Sequence, residues 1–101
     1  MNIKVNSVHF TADQKLLDFI NKKVSKMDIF FDGIISAEVL LKVDKPETNN
    51  NKISEIKLSL PSTTDYLFAK KQADSFEEAT DLAVEAIRRQ LKKHKEKLRE
   101  K

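Results

Sequence analysis

The residues of this chain whose types and spacing best suit chemistry are the cations of its C-terminal end, where eight of the last fourteen residues are Lys or Arg. A dense run of positive charge binds anions, and a long run binds a polyanion. The charge is local, because residues 1–50 hold seven bases and seven acids, whereas residues 86–101 hold eight bases and two acids. The sequence therefore predicts a polyanion-binding surface in the C-terminal segment.

A helix must position these cations, because apolar residues recur among and before them at spacings of three and four. This apolar stripe comprises Phe76, Ala79, Ala83, Ile87 and Leu91. One flank of the stripe carries Arg88, Lys92, Lys95 and Arg99, and the other flank carries Arg89, Lys93 and Lys97. A helix that docks by its stripe would therefore present cations on both edges.

A merely solvated helix surface is the alternative interpretation. Acids such as Glu77 and Glu85 precede the bases, which is the order that the helix dipole favours. The dipole, however, acts mainly over the last turn of a helix. Like charges four residues apart, as at Arg88 and Lys92, each destabilise a helix by ~0.2–0.5 kcal/mol. A surface that mixes positive and negative side chains would be enough for solubility. The long run of positive charge therefore favours a binding surface.

Enzymatic chemistry has little support in the sequence, and we expect neither a catalytic site nor a metal or cofactor. His9 and His94 are far apart and lack ligand-like neighbours, and the paired acids Glu77 and Glu78 suit a helix start. One glycine cannot make a glycine-rich phosphate loop, and without cysteine there is no thiolate or disulfide chemistry. No apolar run has the length of a membrane span, and the N-terminus lacks a signal-peptide core, so we expect a soluble cytoplasmic protein.

The elements that must carry the cations read as strand, helix, three strands and helix, within one domain of 101 residues. The first strand contains Ile3 and Val5 and continues towards Phe10, and the pattern T-x-x-Q at Thr11 predicts the first helix start. The buried face of that helix would comprise Leu16, Leu17, Ile20, Val24 and Met27. Alternating apolar residues predict strands at 35–43, 56–60 and 66–71, joined by a hairpin connection at 44–51 and a turn at 61–65. A second capping box, Ser75-x-x-Glu78, opens the last helix.

This order, βαβββα, predicts an α+β fold with a four-stranded mixed sheet and two helices packed on one face. The first crossover should be right-handed, which makes the first two strands parallel. Each helix has a single apolar stripe, so both should cover the same face of the sheet. Side by side, they would form a basic groove, with Lys22, Lys23 and Lys26 on one wall and the C-terminal cations on the other.

Two segments resemble a known family, the ribosome hibernation-promoting factors, which include ribosome-associated inhibitor A. RRQLKKHKEKL at 88–98, preceded by ADSFEEATDLA at 73–83, is similar to the family's C-terminal helix. The segment 11–27, ending KKVSKM, is similar to its first helix, and the βαβββα order matches across nearly the whole chain. The R-Q-L-x-K-x-K core is the specific part of this resemblance, since the strands add only pattern.

The resemblance implies a cytoplasmic factor that acts under stress or in stationary phase. It would bind the small ribosomal subunit and its rRNA, both in the free subunit and in the whole ribosome. There it would occupy the mRNA and tRNA path near the decoding region and inhibit translation. By position, the family's basic contacts would fall on Lys23, Lys26, Arg89 and Lys93. The groove argument adds Lys22, Arg88, Lys92 and Lys95.

Two departures from the family pattern qualify what it implies. Members often have a lysine where this chain has Ala86, so one phosphate contact would be missing or moved. The chain stops at Lys101, without the C-terminal dimerisation domain of the long-form factors, so we expect one ribosome-binding domain. Pairing of two ribosomes would then need a separate dimerising factor.

Two other functions remain as alternatives to the one that the resemblance implies. One is a generic structured-RNA-binding domain, with Tyr66 and Phe68 as the aromatics for base stacking, and the other is a protein-interaction module without RNA binding.

Overall fold

The computed structural model describes residues 1–45, 47, 49–61 and 66–99, and the side chains as far as residue 97. Its strands are β1 (Asn2–Ser7), β2 (Ser36–Val43), β3 (Lys52–Ser59) and β4 (Tyr66–Ala73). Its helices are α1 (Gln14–Ser25), the one-turn α2 (Met27–Phe30) and the long α3 (Phe76–Arg99). The predicted βαβββα order is therefore confirmed, with α2 as an additional short helix between α1 and β2.

The four strands form one mixed sheet in the order β1-β2-β3-β4. β1 pairs with β2 in parallel, as predicted, and the other two pairings are antiparallel. Alternate side chains of each strand point towards the helices. These side chains pack against the buried faces of α1 and α3 and form one apolar core with them. The core includes Val39, Leu41, Ile56, Leu58, Ile20, Val24, Ile87 and Leu91. Both helices thus cover the same face of the sheet.

No helix among the described residues covers the outer face of the sheet, which carries both charged side chains and aromatic rings. Cross-strand register places Glu38, Lys57 and Phe68 in one row of this face. Tyr66 and Phe68 are exposed, and the Nζ of Lys57 lies 4.3 Å from the Tyr66 ring centroid. Such alternation of opposite charges is typical of a solvated sheet surface.

The start of α1 differs from the predicted one. The N-cap is Asp13, whose Oδ1 accepts a hydrogen bond from the Leu16 backbone N–H at 2.9 Å, so the capping box expected at Thr11 is wrong. Asp ranks above Thr as an N-cap, and its charge also favours the positive end of the helix dipole. The first strand likewise ends at Ser7 instead of continuing to Phe10, because the chain turns at His9, where φ is +63°.

Most of the other predicted boundaries lie within two residues of those in the structure, but β3 begins at Lys52, four residues before the predicted strand, and ends at Ser59. The Ser75 Oγ accepts a hydrogen bond from the Glu78 backbone N–H at 3.1 Å, which confirms the N-cap of α3. A backbone hydrogen bond of 2.8 Å from Asp44 to Asn51 closes the hairpin connection between β2 and β3. Pro46 and Thr48 in that connection, and residues 62–65 of the predicted turn, lie outside the described residues.

Candidate nucleic-acid interface

α3 is the element that positions most of the predicted cations, and its apolar stripe fixes its rotation on the domain. Ala79, Ala83, Ile87 and Leu91 are all buried to 1% exposure or less. On the flank that faces β4, the Gln90 side chain donates a hydrogen bond of 2.8 Å to the Phe68 carbonyl. The opposite flank, which begins at Arg88, therefore turns towards α1 and α2.

A groove runs between this flank and the end of α1, and its first part holds charges of both signs. A cavity of about 260 Å³ is lined by Lys23, Lys26, Phe30, Asp81, Glu85 and Arg88, together with apolar side chains. The Lys23 Nζ lies 3.2 Å from the Asp81 Oδ1, so α1 and α3 are joined across the groove by an ion pair. The predicted groove exists, but Asp81 neutralises one of its α1 cations.

The second part of the groove is dominated by cations around one aromatic ring. A cavity of about 330 Å³ is lined by Phe30, Glu85, Arg88, Arg89, Leu91, Lys92 and Lys95. The Arg88 guanidinium carbon lies 4.1 Å from the Phe30 ring centroid, and its Nη1 lies 3.6 Å from the Glu85 Oε2. Phe30 is 38% exposed, so its ring is accessible from solvent beside the cations.

Six of the eight predicted site residues line these two adjoining cavities, which we call the basic groove. They are Lys23, Lys26, Arg88, Arg89, Lys92 and Lys95. Lys22 on α1 and Lys93 on α3, three residues after Gln90, are exposed outside both cavities. Over the described part of the chain, Lys26, Arg89, Lys92, Lys93 and Lys95 form no ion pair, so their charge is available to a ligand.

The later turns of α3 become progressively more exposed. Among the α3 side chains that the structure describes, those as far as residue 97, Leu91 is the last fully buried one. His94 is half-buried with its ring 5.5 Å from the Phe31 ring, and residues 95–97 are exposed. With 24 residues, α3 is about 36 Å long at 1.5 Å per residue. His94 is thus a packing residue, and the turns after it present cations to solvent.

Sequence reasoning missed three side chains that shape the groove. Phe30 supplies its aromatic wall, and Asp81 and Glu85 supply its acids. The sequence pattern explains Glu85 only by the favourable order of acids before bases along a helix, and Phe30 lies outside every predicted element. No periodic signal distinguishes Phe30 from Phe31, because the pair reads only as two adjacent apolar residues; in the structure Phe31 is buried and Phe30 is exposed.

Within the described residues, the arrangement offers electrostatic binding and stacking, and no group of three or more His, Cys, Asp or Glu is placed to hold a metal ion. None of the helices described is long and apolar enough to span a bilayer. The fold and this site define a class of protein: a small α+β domain with a basic binding surface on a docked helix.

The chain belongs to the family described as sigma 54 modulation protein / S30EA ribosomal protein, whose sequence model matches residues 3–99. Its relatives include a ribosome hibernation promoting factor of Pseudomonas putida, 30% identical over 96% of this chain and 89% of that protein. The factor of the same name in Escherichia coli is 29% identical over 99% of this chain and 97% of its own length. The ribosome hibernation promotion factor of Bacillus subtilis is 27% identical over this whole chain, which spans 52% of that protein.

Two solved structures share the fold. A ribosomal subunit interface protein from Coxiella burnetii superposes with a TM-score of 0.82 at 21% identity, covering 94% of this chain and 98% of that one. The N-terminal domain of Thermus thermophilus Protein Y superposes with a TM-score of 0.77 at 24% identity, covering 93% of this chain and 99% of that domain. The fold of this chain is therefore shared with both of these structures.

Proposed function

We propose that this protein is a ribosome hibernation factor that acts in the cytoplasm under stress or in stationary phase. It binds the rRNA of the small ribosomal subunit near the decoding region, blocks mRNA and tRNA binding, and inhibits translation. The observation that carries the proposal is the set of unpaired cations along the basic groove of a domain of this family. Three curated relatives named as ribosome hibernation factors, aligned over nearly all of this chain, support it.

The mechanism follows from the charge and shape of the groove. Lys and Arg neutralise phosphates and release condensed counterions, which makes such binding strong at low salt and independent of sequence. The groove lies on a rigid surface, since α3 is docked by a fully buried stripe and capped by Ser75. A rigid body that occupies the phosphate-lined path of mRNA and tRNA excludes both by volume, so inhibition needs no catalytic step.

Sedimentation with purified subunits tests the proposal. The protein should sediment with small subunits and with whole ribosomes, and about six phosphate contacts would lower its affinity about a thousandfold between ~50 and ~200 mM salt. Binding that does not change with salt would point to a protein contact. Absence of binding at every salt concentration would refute the proposal.

Charge neutralisation at matched positions tests which surface binds. Replacing Lys26, Arg89 and Lys92, three cations of the basic groove, together by Gln should abolish inhibition of cell-free translation. All three are exposed, so each change should alter the free energy of unfolding by only ~0.5 kcal/mol or less. The control replaces Lys4, Lys70 and Lys71, exposed cations of the sheet, by Gln. Both variants lose the same charge, so equal loss of inhibition would mean that the groove has no special role.

A further inference from the structure

The second cavity of the basic groove has a feature that phosphate binding does not require, which is a flat aromatic surface among the cations. The Phe30 ring is 38% exposed, while its neighbour Phe31 is only 9% exposed. The Arg88 guanidinium is held against this ring at 4.1 Å. Aromatic rings and guanidinium planes are the two protein surfaces on which unpaired RNA bases stack.

We propose that this cavity is a binding site for one unpaired nucleotide of RNA, with its base stacked against Phe30 and Arg88. The inference rests on the proposed RNA-binding function of the groove and adds the kind of RNA structure that the groove selects. The cavity volume of about 330 Å³ is at the lower end of the ~300–1,000 Å³ range of small-ligand sites, which suits a single nucleotide. A base within a duplex is covered on both faces by its neighbours, so the nucleotide must be unpaired.

The charges around the cavity orient the nucleotide. Arg88 contacts Phe30, and Lys92 and Lys95 follow it on α3 by about one and two helical turns, so these two lysines, with Arg89, attract the phosphate group further along the cavity. Glu85, the acid among the lining residues, is held 3.6 Å from Arg88 and repels phosphate from that end of the cavity. Its carboxylate can accept a hydrogen bond from a base amino group. The base therefore lies at the Phe30 end and the phosphate at the Lys92 end.

The exposed aromatic side chains of the outer sheet face are the competing site, and the structure favours the groove over them. On the sheet, Phe68 and Tyr66 lie beside Lys57, but Glu38 and Glu55 also line the shallow cavity next to Phe68. Glu55 is already paired with Lys42 at 2.8 Å. The sheet thus surrounds its rings with charges that compensate one another, whereas the cations of the groove exceed its acids.

Binding of matched oligonucleotides tests the base site. The probes are an oligoribonucleotide of about ten nucleotides and the same backbone with abasic sites, which carries equal phosphate charge. The wild-type protein should bind the intact probe on the order of tenfold more tightly than the abasic one, since stacking contributes about that much per base. Phe30→Leu should bind both probes equally, at the wild-type affinity for the abasic probe.

Two further variants keep the test decisive. The chain has no Trp, so Phe30→Trp introduces a single indole whose fluorescence should be quenched by the intact probe and much less by the abasic probe. Phe68→Leu, the matched control on the sheet, should retain the preference for the intact probe. Loss of the preference in Phe68→Leu, or equal quenching by both probes, would overturn the proposal even if Phe30→Leu fails to fold.

Ribosome sedimentation separates the two proposals. Wild-type protein that sediments with ribosomes but binds intact and abasic probes equally would overturn the base site and leave the proposed function standing. Preference for the intact probe without any ribosome binding would support the base site and refute the proposed function.

Discussion

Removal of a single acid, Asp81, should strengthen the binding of this protein to RNA. Asp81 lies in the basic groove with its Oδ1 3.2 Å from the Lys23 Nζ. The substitution Asp81→Asn keeps the shape of the side chain, removes one negative charge and releases Lys23 from its ion pair. If the groove binds phosphate, both effects act in the same direction.

The magnitude follows from the exposure of the pair and from Coulomb's law. The side chains of Lys23 and Asp81 are 35% and 50% exposed, so their ion pair contributes at most ~1 kcal/mol to folding. A phosphate ~6 Å from the Asp81 carboxylate would be repelled by ~0.7 kcal/mol in bulk water and by ~3 kcal/mol at an effective dielectric constant of about 20. Salt screening reduces the larger value, and a gain of ~1 kcal/mol corresponds to about fivefold tighter binding.

The assay is a titration of small ribosomal subunits at several salt concentrations. Asp81→Asn should bind about fivefold more tightly at the lowest salt, and the slope of log K against log salt should steepen by ~0.7–0.9 as Lys23 gains a phosphate. The control is Glu38→Gln, which makes the same change in net charge at an exposed position on β2. Its affinity should stay within about twofold of wild type, since it lies on the uncovered face of the sheet.

Two outcomes would refute this reasoning. Equal gains for Asp81→Asn and Glu38→Gln would mean that only net charge matters and that the groove is not the contact surface. Weaker binding by Asp81→Asn, with the fold intact, would mean that the ion pair holds Lys23 where RNA needs it.

Two further predictions concern stability. Ile87→Ala should lower the free energy of unfolding by about 2–5 kcal/mol, because the Ile87 side chain is fully buried between α3 and the sheet. The control Arg89→Ala, on the exposed side of α3, should change it by ~0.5 kcal/mol or less, and urea unfolding measures both values. Asp13→Ala should lower the free energy of unfolding by about 1 kcal/mol through loss of the α1 N-cap, whereas Thr11→Ala should change it little in the same measurement. A larger loss for Thr11→Ala than for Asp13→Ala would contradict the assigned cap.

The fold was predictable where the sequence pattern is local. The repeat of Ala79, Ala83, Ile87 and Leu91 identifies the buried face of α3, because a helix brings residues three and four apart onto one side whatever lies opposite. The alternation through β2 identifies Ala37, Val39 and Leu41 as core side chains, because successive residues of a strand point to opposite faces of the sheet. The start of α1 was not predictable in this way, since Thr11 and Asp13 both have acceptor side chains and only the path of the chain after Ser7 decides between them.

The candidate site was predictable in its cations and not in their surroundings. The flanks of the stripe predict Arg88, Lys92 and Lys95 on one edge, and the structure places all three beside one cavity. The prediction is wrong for Arg89, which is expected on the opposite flank and lines the same cavity. The ion pair of Lys23 with Asp81 joins residues far apart in sequence, so no spacing rule reveals it. Phe30 enters the groove only because the chain makes a separate turn of helix after Lys26, which the apolar pattern through Met27 did not indicate.

The two flanks of α3 are unequal, and this determines where a polyanion would be held. On the side that faces β4, Gln90 is bonded to the Phe68 carbonyl and Ala86 is half-buried against the core, so little charge is available before Lys93. On the groove side, the acids Asp81 and Glu85 come first along α3, and the cations follow from Arg88 to Lys95. Phosphate is therefore repelled from the first turns of α3 and attracted to the later ones. The absence of lysine at Ala86 removes charge only from the flank that faces β4, so the groove retains every cation that lines it.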